Sequence, residues 1–200
     1  VHESSDNSVT VVSMVVDDPT GYGRIVREND NFAKIVEQKD ASEDEAEINE
    51  VNTGVYIFKA EYLNKAFEKL GNNNSQGEYY LTDTLEIIKN DGGKVGIMVA
   101  DDADEFMGVN SKLQLSQAIA VMKERINTKL MLEGVTITDP ASTYIGKDVK
   151  IAPDTIIYPG CMLEGKTVIG KSCIIGPNTR ITSSQVDDCV TIQMSVLNDA

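Results

Sequence analysis

The stretch IGKDVKIAPDTIIYPGCMLEGKTVIGKSCIIGPNTRI, residues 145–181, returns to an aliphatic side chain every six residues: Ile145, Ile151, Ile157, Leu163, Ile169, Ile175 and Ile181. Four residues after each of the first six stands Val149, Thr155, Cys161, Thr167, Cys173 or Thr179, all small or β-branched. Gly146, Gly170 and Gly176 directly follow their isoleucines. An α-helix turns every 3.6 residues and has no use for a period of six. A three-sided coil does: each hexapeptide makes one face, three faces make a turn, and one aliphatic ladder fills the prism. Between Ile181 and Val186 the phase slips by one residue, which predicts an irregular corner around Ser183–Gln185. The repeat reaches Ala200 without the polar cap a solenoid end requires, so the expectation is a coil cut short.

Upstream the periodicity is helical. Leu115, Ile119, Met122, Ile126 and Leu130 predict one amphipathic helix over 111–133, its apolar stripe used for packing. Before it, strands and helices alternate. Strands are expected at 9–16, at 25–27 and 32–37 across a turn at Asn29–Asn31, at 48–58, and, buried, at 95–99. Helices are expected over 61–70 and from Asp83 to Gly92–Gly93, with a loop at 105–110. The acidic run 40–47 reads as a solvated loop or short helix. The alternation predicts an α/β layered domain, and the expected division is 1–110, a linking helix 111–133, and coils 134–200.

The chain has 32 acidic and 18 basic residues, a formal charge of −14. Such a surface repels nucleic-acid phosphates and anionic lipid, which argues against both as partners. Apolar residues make up 41% of the chain, enough for a core, yet no run approaches the roughly 18–20 needed to cross a bilayer. Cys161, Cys173 and Cys189 form no CxxC pair and read as reduced, buried apolar residues of a cytosolic protein. The only histidine is His2, which leaves no material for a histidine-built metal site or a Ser-His-Asp triad.

Two segments carry ligand-like chemistry. In Asp17–Glu28, DDPTGYGRIVRE, a proline and two glycines between apolar runs make a turn-rich loop. Gly21 and Gly23 permit positive φ and a close backbone approach, and Arg24 and Arg27 supply donors or are simply solvated. In 48–58, Asn52-Thr53-Gly54 interrupts an apolar strand, the mark of a bulge or a ligand contact.

Five motifs in order, D-P-T-G-Y-G-R-I at 18–25, I-V-E-Q-K-D-A at 35–41, N-T-G-V-Y at 52–56, N-N-N-S-Q-G-E-Y-Y-L-T-D at 72–83 and G-V-N-S-K-L-Q-L at 108–115, with the hexapeptides after them, resemble one family. It is the bifunctional bacterial N-acetylglucosamine-1-phosphate uridyltransferase / glucosamine-1-phosphate acetyltransferase family. The resemblance implies the back half of a Rossmann-like nucleotidyltransferase domain followed by a left-handed parallel β-helix. It implies uridylyl transfer from UTP to N-acetylglucosamine 1-phosphate, giving UDP-N-acetylglucosamine and pyrophosphate, with Mg2+ as cofactor, in a cytoplasmic protein whose parent forms a homotrimer. By the same resemblance Gly23 gives a backbone contact to the nucleotide sugar, Glu37 hydrogen-bonds the sugar, Asn52 contacts it from the sheet, and Asn110 touches the UDP-sugar and ligates Mg2+. A turn, a surface charge, a bulge residue and a helix N-cap are the structural roles these four residues fill otherwise.

The sequence departs from that family at both ends. The family's glycine-rich loop with arginine and lysine, its metal-sharing aspartate and its acetyltransferase histidine are not found here. The expectation is therefore an internal fragment that turns over neither substrate pair alone, with an exposed sheet edge prone to pairing. Another sugar-1-phosphate nucleotidyltransferase, or a non-catalytic coil scaffold, remain the alternatives.

Overall fold

Seven residues, Val9–Val15 (β1), form the strand on which the first unit is laid. The computed structural model describes residues 1–200, which divide into Val1–Gly108 and Val109–Ala200. In the first unit β1 lies between Glu50–Phe58 (β4), antiparallel to it, and Val95–Val99 (β5), parallel to it. Arg24–Glu28 (β2) and Asn31–Val36 (β3) complete a five-stranded sheet of order β3-β2-β4-β1-β5. The β2–β3 hairpin turns at Asn29 and Asp30, both at positive φ, the conformation that matches the twist of paired strands and that Asn and Asp tolerate. Helices Ala60–Phe67 (α2) and Asp83–Asn90 (α3) cover one face, burying Ala66, Leu85 and Ile88 against Val9, Val11, Ile25, Phe32 and Ile35. The expected buried strand at 95–99 is instead a sheet edge. Only β1 flanks it, so Met98 and Val99 are exposed.

The acidic run holds the short helix Glu43–Ala46 (α1), closed by a capping box. The Ser42 hydroxyl accepts the Glu45 N–H, and the Glu45 carboxylate accepts the Ser42 N–H at 3.0 Å. That bond, then the Lys34 ammonium at 2.9 Å, then the Ser42 hydroxyl, lower the Glu45 carboxyl from 4.5 to about 2. A depressed carboxyl stabilises the fold above its unfolded value and loses that contribution as pH falls through the folded one. Glu45→Gln is therefore expected to lower the melting temperature at pH 7 and to match the wild type near pH 2, read by thermal denaturation across that range.

The second unit starts with Lys112–Leu132 (α4), capped by Ser111, whose hydroxyl accepts the Gln114 N–H at 3.1 Å. Only the C-terminal part of its stripe packs: Ile126 and Leu130 meet the coils, while Leu115, Ile119 and Met122 stay about half exposed. They line an apolar groove of about 430 Å3 with Tyr144 and Met162.

From Val135 short parallel strands stack in three ladders, as three faces per turn require. Leu163 pairs with Ile145 on one side and Ile181 on the other, eighteen residues each way. The aliphatic ladder fills the interior. The small residues four positions on sit inside the corners, where Thr and Cys satisfy the turning backbone. The Thr155 hydroxyl donates to the Gly170 carbonyl at 2.8 Å and accepts the Cys173 N–H at 3.0 Å. The irregular corner falls at Ser183, at positive φ. Beyond it Ile169 pairs with Val186, seventeen residues on, and Ile181 with Leu197, sixteen on, so a second slip follows the first. Cys161 and Cys173 are buried as expected, but Cys189 is exposed. It stands at a corner with positive φ, one residue before the partly buried Val190 that takes the inward place.

Candidate functional site

Gly23 ends the glycine loop, one residue before β2. It is buried and, unlike Gly21 at φ +89°, not at positive φ. Its use is space. A Cβ there would stand 3.3 Å from a Glu37 carboxylate oxygen and 3.2 Å from the Ile35 side chain. Glu37 follows β3 directly, so the hairpin brings the loop and the carboxylate together. Asn52 on β4 joins them, its backbone N–H donating to the Gly23 carbonyl at 2.8 Å. Gly23, Glu37 and Asn52 thus meet at one end of three adjacent strands. Asn110 belongs to the second unit. It is exposed, one residue ahead of the Ser111 cap, and its N–H donates to the Gln114 side chain at 2.7 Å.

The bulge expected at Asn52-Thr53-Gly54 is present. The step from Val11 to Ser13 on β1 spans Tyr56 to Asn52 on β4, with Gly54 at φ +80°. The side chains of the motif hold it. Asn52 Oδ1 accepts the Gly54 N–H at 3.0 Å, and Thr53 Oγ1 donates to the Val12 carbonyl at 2.7 Å while accepting the Val55 N–H. Asn52 is therefore a bulge residue and, at once, a neighbour of Gly23, which packs against Glu37.

Of the two arginines of the loop, only Arg24 is withdrawn from solvent. Arg24 is buried and donates to the carbonyls of Tyr22 and Ala46 and to Gln38 Oε1. The same Gln38 oxygen accepts the Gly21 N–H at 2.9 Å, so one side chain ties the glycine loop to the end of β3. Arg27 pairs with Glu50 at 2.6 Å near the surface. Both are structural.

Two residues of the cluster were not singled out by the sequence reading. Thr82 occupies the N-cap position of α3 yet makes no cap bond. Its hydroxyl instead donates to Glu37 Oε1 at 3.0 Å, and the residue is buried. A cap diverted from its helix to a carboxylate is a local rule given up for a site. Tyr56 is the other: its hydroxyl accepts an Asn52 Nδ2 hydrogen at 2.7 Å. Threonine before a helix and tyrosine in a strand are both ordinary, so only geometry singles them out.

The 72–83 motif forms a wall against 37–40. Asp40 accepts the Ser75 N–H at 3.0 Å, and the Ser75 hydroxyl, then this N–H, hold its carboxyl below the usual range. Lys39 reaches Gln76, and Gln76 donates to the Tyr80 hydroxyl. Burial, then the charges of Glu86, Glu37 and Asp40, push the Asp83 carboxyl up. This corner carries excess negative charge. It favours hydroxyl and amide groups and disfavours phosphate.

No group of three or more His, Cys, Asp and Glu side chains comes together to hold a metal ion. Mg2+ takes six oxygen ligands, several of them water, and Asn110 offers one carbonyl oxygen. The residues of this chain do not complete such a site, and no step below runs through one. No helix is long and apolar enough to cross a membrane.

Comparison with known proteins agrees with both halves of the fold. Residues 148–183 match the model of the bacterial transferase hexapeptide, six repeats. The chain is 52% identical over 200 residues to the bifunctional protein GlmU of Exiguobacterium sp., covering 100% of this chain and 44% of that protein. It is 52% identical over 197 residues to the protein of the same name from Caldanaerobacter subterraneus, and 49% over 200 residues to that from Geobacillus thermodenitrificans. The chain spans less than half the length of these curated relatives. Residues 1–126, well over half of its length and including Gly23, Glu37, Asn52 and Asn110, match the nucleotidyl transferase model, and the chain belongs to the nucleotidyl transferase family.

Proposed function

We propose that this chain carries the sugar-reading part of a site that transfers a uridylyl group from UTP to N-acetylglucosamine 1-phosphate. A phosphate oxygen of the sugar phosphate attacks the α-phosphorus of UTP, pyrophosphate leaves, and UDP-N-acetylglucosamine forms without a covalent enzyme intermediate. The observation that carries the reading is the meeting of Gly23, Glu37 and Asn52. A carboxylate fixed by Thr82 accepts hydroxyl hydrogens, an amide fixed in the bulge offers donor and acceptor, and a side-chain-free glycine lets a sugar ring approach both. The acidic surroundings suit the hydroxyl-bearing ring, so the phosphates belong on the other side, towards cations this cluster lacks.

Transfer itself is proposed for the longer protein, with acetylation of glucosamine 1-phosphate as the second activity that a bifunctional, hexapeptide-bearing relative suggests. In this reading Asn110 would offer one oxygen to Mg2+, which would neutralise phosphate charge in the longer protein. The protein works in the cytoplasm, supplies peptidoglycan precursors, and assembles as a homotrimer, with neither nucleic acid nor membrane as partner.

Titration calorimetry of the 200-residue chain with UDP-N-acetylglucosamine, UDP-glucose and ADP-glucose tests this. Binding is expected to favour the first, and Glu37→Gln to weaken it by about ten- to a hundredfold, the worth of a hydrogen bond to a charged group. Equal affinity for all three sugars, or no effect of Glu37→Gln, would overturn the assignment.

A further inference from the structure

We propose that Tyr56 is a positioning residue for sugar recognition: its hydroxyl, folded back onto Asn52 by the β4 bulge, fixes the amide that reads the sugar. The inference rests on the reading above and goes one residue deeper.

In a regular strand, residues four apart stand about 13 Å from each other. The bulge compresses Asn52 to Tyr56 into the span of Val11 to Ser13 on β1, about 6.6 Å at strand rise. That brings the tyrosine hydroxyl back to Asn52 Nδ2 at 2.7 Å. A primary amide has two N–H donors and two carbonyl lone pairs. Gly54 takes one lone pair and Tyr56 one donor. One donor and one lone pair are left for a ligand, already oriented, because the two internal bonds settle which end of the amide is oxygen.

The torsion they lock is otherwise broad. The tyrosine is itself held, its ring tilted on Phe58 at 5.8 Å and packed against the unit's core. Burial pushes the phenol up to about 12, with the Asn52 bond pulling the other way and the Glu37 charge adding to the rise. The hydroxyl thus stays protonated throughout the working range. Its oxygen accepts from Asn52, and its hydrogen remains to donate.

Tyr56→Phe keeps the ring and removes the oxygen. It is expected to weaken UDP-N-acetylglucosamine binding about fivefold, the worth of one neutral hydrogen bond, and to move the Asn52 side-chain amide resonances in a 15N-correlated NMR spectrum of the free chain. In an Asn52→Ala background the same change is expected to have no further effect on affinity, since Tyr56 acts through Asn52. Additive losses in that cycle, unmoved Asn52 amide resonances, or unchanged affinity would overturn the positioning role while leaving the site assignment intact. If the wild-type chain binds no sugar nucleotide, the site assignment falls first and this role with it.

Discussion

Leu163→Ala is expected to cost the coil unit about 3–5 kcal/mol, the upper part of the range for truncating a buried leucine. Leu163 is fully buried and stacked between Ile145 and Ile181. Parallel ladders fix both neighbours by backbone hydrogen bonds, so they cannot close over the missing atoms, and the cavity persists. A coil is also close to one-dimensional: each turn is stabilised by the turns beside it. Losing one rung weakens two interfaces together. Met162, adjacent in sequence but facing outward and 36% exposed, is the control. Met162→Ala is expected to cost about 0.5 kcal/mol or less, as surface changes do. Urea denaturation followed by circular dichroism separates the two, and equal losses would mean the ladder is not what holds the coils.

The ladder was legible in sequence because no other local structure uses a period of six. The first slip showed as a break in phase. The second did not, since Val196 and Leu197 are both aliphatic and only the structure puts Leu197 inward, with Val196 exposed. Cys189 was misplaced for a related reason. Residue type suggested burial, while its place one step before Val190 put it at a corner. In the first unit the individual strands were readable, but not which of them would be the sheet edge, because sheet order is a long-range property. The site divides the same way. Glycine loop, carboxylate and bulge each carried a local signal. The bonds of Thr82 to Glu37 and of Tyr56 to Asn52 depend on a helix start 45 residues away and on a bulge that folds a strand onto itself.

Arg24 was the residue least readable from sequence, and Arg24→Met is expected to destabilise the first unit by about 3–4 kcal/mol. The side chain is 1% exposed, and its partners are neutral oxygens: the carbonyls of Tyr22 and Ala46 and the amide of Gln38. Methionine fills much of the same volume but donates nothing. Buried acceptors left without a donor cost about 1–3 kcal/mol each, and part of that is recovered by relaxation and water. The loss is not local. The Ala46 carbonyl lies at the end of α1, and the Gln38 oxygen also holds the Gly21 N–H, so without the guanidinium the acidic helix and the glycine loop both lose an anchor. Gly23 follows Gly21 by two residues, so affinity for the proposed ligand, UDP-N-acetylglucosamine, is expected to fall as well, although the donors of Arg24 are spent on internal acceptors. Arg24→Lys is expected to recover less than half of the stability, because one ammonium cannot reproduce a planar fork aimed at three acceptors. Arg27 gives the contrast. It is also an arginine of β2, but its pair with Glu50 lies near the surface, and such pairs contribute about 1 kcal/mol or less. Chemical denaturation of Arg24→Met, Arg24→Lys and Arg27→Met decides the matter. If Arg27→Met costs as much as Arg24→Met, the buried fork is not what ties the loop to the sheet.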